Sequence, residues 1–243
     1  LKTRWIALVW AVSVLLSTSA AAWEKASEVI HGTARVLDQG ETIIGVVSPL
    51  GYGIHDQVTL FTHPALHLLL TPTIWLRASL YDGRTAVALE AGYQTSLVAI
   101  EDAKGNGRFP GFAQLGVVAS YLLRDSVQLS AAVGYVAEFG RLDLAGTVAG
   151  IYYKASADFL FRQRYLIKGE LRGRVLGEVG AESPVGTLIL AREFGRMRIG
   201  VGAAFGRFVI ATGDMSLDPE TQKAVQDTVR LPVYPWIDVW WRF

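Results

Sequence analysis

Cysteine is missing from all 243 positions. Disulfide staples and thiolate metal sites are excluded together, so whatever stiffens this chain is hydrogen bonding and packing. Charge of one sign is missing too: 23 Lys and Arg stand against 22 Asp and Glu. That balance leaves no basic footprint for nucleic acid. Histidine occurs 4 times and proline 8 times, and no linker, charge block or low-complexity run divides the chain. One long apolar run is present, at the N-terminus. No second stretch reaches the roughly 20 apolar residues of a membrane helix, although 51% of the residues are hydrophobic.

The single run has the build of an export signal. Lys2 and Arg4 precede Trp5 to Leu16, which is interrupted by Ser13 alone, and Ser17 to Ala22 are small. Cleavage is expected after Ala22, removing residues 1–22 and leaving 23–243 as one domain. Two positive charges leave with the signal, which takes the balance from 23 against 22 to 21 against 22.

The remaining apolarity alternates. In 112–123, Ala113, Leu115, Val117, Ala119, Tyr121 and Leu123 oppose Gln114, Gly116 and Ser120. In 126–138, Val127, Leu129, Ala131, Val133, Tyr135 and Ala137 oppose Gln128, Ser130, Gly134 and Glu138. In 165–175, Tyr165, Ile167, Leu171 and Val175 oppose Lys168, Glu170, Arg172 and Arg174. A period of 2 is a strand, and these strands exceed the usual 5 or 6 residues of soluble sheets. Short joints at Asp82-Gly83, Arg124-Asp125, Arg162-Gln163-Arg164 and Phe194-Gly195-Arg196 alternate with long links at 98–111, 139–143, 176–185 and 207–231. Asp-Gly is read as a primed hairpin turn in which Gly supplies a positive φ.

Strands are expected at 33–37, 41–48, 56–62, 73–81, 84–97, 111–123, 126–138, 144–161, 165–175, 186–193, 197–206 and 232–243. The first three are the least regular, since residues 29–72 are interrupted by Pro49, Gly51, Gly53, Pro64 and Pro72, and proline keeps to edges, bulges and loops. The last strand ends the chain with Ile237, Val239, Trp241 and Phe243 on one face and Trp236, Asp238, Trp240 and Arg242 on the other. An apolar face, a polar face and a terminal aromatic are what the last strand of an outer-membrane barrel carries.

In these features the chain resembles bacterial outer-membrane β-barrel proteins as a broad class. The resemblance implies an all-β fold: a transmembrane, antiparallel up-and-down barrel of about 12 strands, with 10 or 14 as alternatives. It also implies outer-membrane lipid and the barrel-assembly machinery as partners, both termini in the periplasm, and Ile237, Val239, Trp241 and Phe243 as the assembly signal. Tyr93, Tyr121, Tyr135, Tyr153, Tyr165 and Trp241 are placed in the interfacial girdles.

With that parity the lumen receives Arg77, Glu90, Lys154, Asp158, Lys168, Glu170, Arg172, Arg174, Arg198, Asp238 and Arg242, seven cations and four carboxylates. Two readings follow. A mutually paired network fixes the barrel's shape, or a slightly cationic wall favours anions in a passage. Lumenal glycines at 92, 116, 134, 200, 202 and 206 either leave space or admit neighbouring rings.

Catalysis has little support. A His-x-Ser pair of the outer-membrane lipid hydrolases is missing; His31 with Thr33 is the nearest approach, and the adjacent His55 and Asp56 would point to opposite faces of a strand. His63 and His67 are four apart, but Pro64 favours a loop. Asp102 to Gly107 faintly echoes a calcium loop with Lys104 at a ligand position. Thr221 to Val229 has the spacing of a short amphipathic helix. No cofactor or metal is expected. The functional expectations are a passive small-solute channel, a non-conducting barrel whose lumen is filled by the charged network and the 23–32 segment, and, third, a lipid-modifying hydrolase.

Overall fold

The computed structural model describes residue 23 and residues 25–101, 107–140, 147–177, 180–217 and 224–243; for 100–101, 207–217 and 224–231 it describes the backbone path. The expected export signal at 1–22 lies outside the described residues, as does most of the Asp102 to Gly107 segment.

Twelve antiparallel strands form the wall: β1 Thr42–Gly45, β2 Leu50–His55, β3 Val58–Thr62, β4 Thr73–Tyr81, β5 Thr85–Thr95, β6 Gly111–Arg124, β7 Val127–Phe139, β8 Val148–Phe161, β9 Tyr165–Leu176, β10 Val185–Phe194, β11 Met197–Leu217 and β12 Ala224–Arg242. Each pairs with its sequence neighbours, and β1 pairs with β12 to close the sheet into a barrel with no free edge. At the seam Ile43 faces Arg242 and Ile44 faces Trp241, and Thr42 and Phe243 exchange both backbone hydrogen bonds.

Alternation decides which way each side chain points. Along β9, Ile167, Leu171 and Val175 are exposed on the outer face, while Lys168 is 8% exposed within. Leu115, Val117, Val133, Ile151 and Val201 continue the outer belt on neighbouring strands. The short joints share one end of the barrel and the long connections the other. Arg162 and Gln163 take φ of 52° and 56°, and Gly195 takes 65°. The joint at Asp82-Gly83 differs from the two-residue primed turn read from its sequence: it spans three residues, and Gly83 does not take a positive φ.

Four expectations are corrected. Residues 33–37 are not a strand; Thr33, Ala34, Arg35 and Leu37 are all buried, so this segment has no outward face and runs inside the barrel. Residues 50–55, which lie between two expected strands, are β2, and the count stays at twelve because one strand is lost and one gained. Gly51 and Gly53 point inward because a Cβ there would meet the Phe61 ring at 2.9 Å and the Asp38 carbonyl at 1.9 Å. The 207–231 link is largely a continuation of β11 and β12, with irregular register between Phe205 and Phe208 and between Ala211 and Met215. The expected helix at Thr221 to Val229 is replaced by strand from Ala224 onward, where the ladder supplies the backbone partners that an isolated turn would lack.

Four of the six lumenal glycines are seats for rings, while Gly202 and Gly206 abut the backbone or side chains of Leu188, Pro184 and Val185. Trp75 lies over Gly92, Tyr152 over Gly116 and Gly134, and Trp236 with Trp240 over Gly200. Large apolar surfaces therefore fill the interior where the wall has no side chain.

Candidate functional site

Residue 23 and residues 25–37 lie in the lumen at the end bearing the short joints. An irregular segment buried inside a barrel must find partners for its backbone groups, and the wall provides them. Ala26 N–H donates to the Asp125 carbonyl at 2.6 Å, Ala34 N–H to Ser120 Oγ at 2.7 Å and Leu37 N–H to Thr59 Oγ1 at 2.7 Å. Trp23 N–H donates to the Glu193 carboxylate at 3.1 Å. The segment's carbonyls are met by cations. Arg77 Nη1 donates to Ile30 and Arg35 at 2.9 and 3.1 Å, Lys168 Nζ to His31 at 2.8 Å and Arg242 Nη1 to Glu28 at 3.0 Å. Gly32 takes φ of 79° where the segment turns past Lys168 and Glu170. Trp23, Ala26, Val29, Ile30 and Leu37 complete the seal by packing with Ile43, Phe61, Leu160, Leu166 and Trp240.

Most of the lumen charges expected from the sequence are used in this closure. Arg77 binds Glu90 through Nε and Nη2 at 3.1 and 2.6 Å, with Phe61 under its guanidinium. Lys168 meets the fully buried Asp158 at 3.1 Å, and Arg198 meets Glu193 at 3.6 Å while stacking on Trp23. Arg242 pairs with Glu41, and Arg174 with Glu138 and Glu182. Asp238, 1% exposed, accepts from Val47 N–H at 2.8 Å and Ser48 N–H at 2.9 Å, which folds the β1–β2 connection inward. Glu138 lay on the polar side of its strand, so alternation could have nominated it. The same holds for Glu193, opposite the outward Leu188 and Leu190 of its strand, whereas Arg35, which pairs with Asp82, and Glu41 carry no local signal, because their partners lie far away in sequence.

Above the segment, towards the long connections, lies a cup of about 660 Å³. Its floor includes Val29, Ile30, His31 and Gly32, and its walls include Trp75, Tyr234, Trp236, Ile189 and Thr187. Lys154, Glu170 and Arg172 also line it. Among the described residues no hydrogen bond or ion pair reaches these three side chains. Ile237, Val239, Trp241 and Phe243 lie on the opposite side of β12 from the buried Asp238 and Trp240, with Ile237 65% exposed.

His31 is packed in the lumen, whereas His55 and His67 are exposed, His55 accepting from Gln57 N–H at 3.2 Å. Burial, then Lys168, Arg77, His63 and Arg198, lower the His31 pKa from 6.5 to about 3, so His31 is neutral. His63 is lowered too, chiefly by burial. The 63–67 stretch, expected as a loop, holds a one-turn helix, α1 Pro64–Leu68, because proline suits a first helical turn. His67 Nε2 lies 2.6 Å from Thr62 Oγ1. The Thr33 hydroxyl donates to Val29 O at 2.7 Å, leaving it no free proton for His31. Among the described residues no group of three His, Asp or Glu is arranged around a metal position.

Neither a protein-family model nor a curated protein matches the chain. Among solved structures, the barrel is similar to the outer-membrane expressed OmpT of Vibrio cholerae, with a TM-score of 0.50 and 9% identity over 80% of this chain and 64% of that one. The in-vitro folded, trimer form of Vibrio cholerae OmpT also matches, with a TM-score of 0.46, 9% identity and the same coverage. The chain thus spans about 64% of the length of these proteins. At this identity the likeness is one of fold, a closed antiparallel barrel.

Proposed function

We propose that this chain is an integral outer-membrane barrel that rests closed, with residues 23–37 as an inbuilt plug and small-solute passage confined to the state in which that segment has left its seat. The observation that carries the reading is the double anchoring of the plug: wall groups accept its N–H groups, and Arg77, Lys168 and Arg242 cap its carbonyls. An open pore has no use for lumenal cations turned onto one buried strand of chain. Membrane placement is supported by the outward apolar belt, the enclosed charges and the barrel likeness. The export-type N-terminus supports the outer membrane in particular. The short joints and the plug are then periplasmic and the cup opens outward. Lipid solvates the belt, and the outward residues Ile237, Val239, Trp241 and Phe243 are offered to the assembly machinery.

Planar-bilayer recording tests the reading. The full mature barrel is expected to be silent and a variant lacking residues 23–37 to give stepwise currents. Equal conductance from both would overturn the plug.

A further inference from the structure

We infer that the cup binds a small amphipathic organic anion, with Lys154 and Arg172 clamping its carboxylate or phosphate and Trp75, Tyr234 and Trp236 enclosing its apolar body. The inference concerns the cup above the plug and rests on the closed reading only for the cup's floor. Lys154 and Arg172 face each other directly in the β8–β9 register, and both line the cavity. Like charges placed opposite one another across two strands repel, and Glu170 beside them sets one negative charge against their two positive ones. Every other cation of the cup has its own partner: Arg77 has Glu90, Lys168 has Asp158, Arg198 has Glu193 and Arg242 has Glu41. These two have no hydrogen bond or close ion pair among the described residues; of the carboxylates whose charge Lys154 feels, Glu90 is already held by Arg77 and Glu170 stands beside the pair.

Two further observations set the chemistry. Among the cup-lining residues, Trp75 Nε1, Arg198 Nε and His31 Nε2 are buried without a partner; the first two are donors, and the neutral His31 ring can donate or accept. The volume of about 660 Å³ lies in the ordinary range of small-molecule sites, roughly 300–1,000 Å³, and the aromatic wall excludes a bare hydrated ion as the best occupant. Glu170 shares the wall, in register with Ser156, next to the Lys154 and Arg172 pair. It opposes an anion and sets the expected sign of its own removal.

The test uses the full barrel in phosphatidylcholine nanodiscs, with 1-naphthoate as probe and naphthylmethanol and acetate as head-less and body-less controls. Equilibrium dialysis against empty nanodiscs is expected to give saturable naphthoate binding, with each control weaker by about tenfold or more. Lys154→Gln and Arg172→Gln are each expected to weaken naphthoate about tenfold or more, Arg172→Lys to retain most of it, and Glu170→Gln to tighten it. Folding of every variant is checked by heat-modifiable gel migration. Naphthoate uptake equal to that of empty nanodiscs overturns the site, as does binding unchanged in both Gln variants. Tighter binding of an organic cation than of naphthoate also overturns it. Conductance is not the readout, so failure of the anion site and failure of the plug are told apart.

Discussion

Arg77 is the residue whose loss says most about how the lumen is closed. Its Nη1 holds two plug carbonyls, Ile30 at 2.9 Å and Arg35 at 3.1 Å, while Nε and Nη2 hold Glu90. Replacing Arg77 alone would leave Glu90 buried and unpaired, a cost of about 3–5 kcal/mol that falls on the barrel as much as on the plug. The informative variant is therefore Arg77→Met with Glu90→Gln, which removes both charges and confines the loss to the two plug carbonyls. Hydrogen bonds from a charged donor contribute about 1.5–3 kcal/mol each, so the seated plug loses about 3–6 kcal/mol. At about 1.4 kcal/mol per factor of ten, the ratio of seated to unseated plug falls by about 10² to 10⁴. In planar bilayers the double variant is expected to show intermittent openings with the amplitude of the barrel lacking residues 23–37. A folded double variant that stays silent while the deletion conducts would refute the role given to Arg77.

Gly32→Ala forces an L side chain into φ of 79° and places a Cβ 3.0 Å from Glu170 Oε2 and 3.1 Å from Lys168 Nζ. The strain of about 1–2 kcal/mol should raise open probability about tenfold, and unchanged gating would show that this turn does not seat the plug. His31 is neutral in the fold because its pKa is lowered to about 3, whereas the unfolded chain protonates near 6.5. Its contribution to stability is therefore complete above 6.5 and is lost progressively as pH falls towards 3. Urea unfolding in micelles should show a wild-type decline of up to about 1.4 kcal/mol per pH unit in that window, and His31→Asn should lack that component. Superimposable pH profiles would contradict the buried, neutral histidine.

The wall from β4 to β10 was legible in the sequence because each strand has one outward apolar row and one inward polar row, as in Ile167 to Val175 against Lys168 to Arg174. Legibility ended where the plug touches the wall. Residues 33–37 have strand-like composition, yet their partners are Ser120, Thr59 and Arg77 on distant strands, and no local period records that. Gly51 and Gly53 read as breaks although they are clearance for Phe61 and Asp38. The lumen charges were nominated by parity, but whether they line a passage or hold a segment depended on carbonyls up to 214 residues away, as with Arg242 and Glu28. The opposed Lys154 and Arg172 were both visible as inward residues. Their confrontation needed the register of β8 against β9.

The most direct measurement is distance inside the closed barrel. Because the natural sequence contains no cysteine, paired cysteines at Ala34 and Ser120 can be bridged with a short bismaleimide in native membranes, with Ser120 and Ser130, whose hydroxyls lie 2.8 Å apart, as the positive control. The expected result is efficient bridging of both pairs, with slower formation of the 34–120 bridge in the Arg77→Met, Glu90→Gln background. Bridging of the control pair alone in the otherwise unaltered barrel would place residues 23–37 outside the lumen and contradict the closure described above.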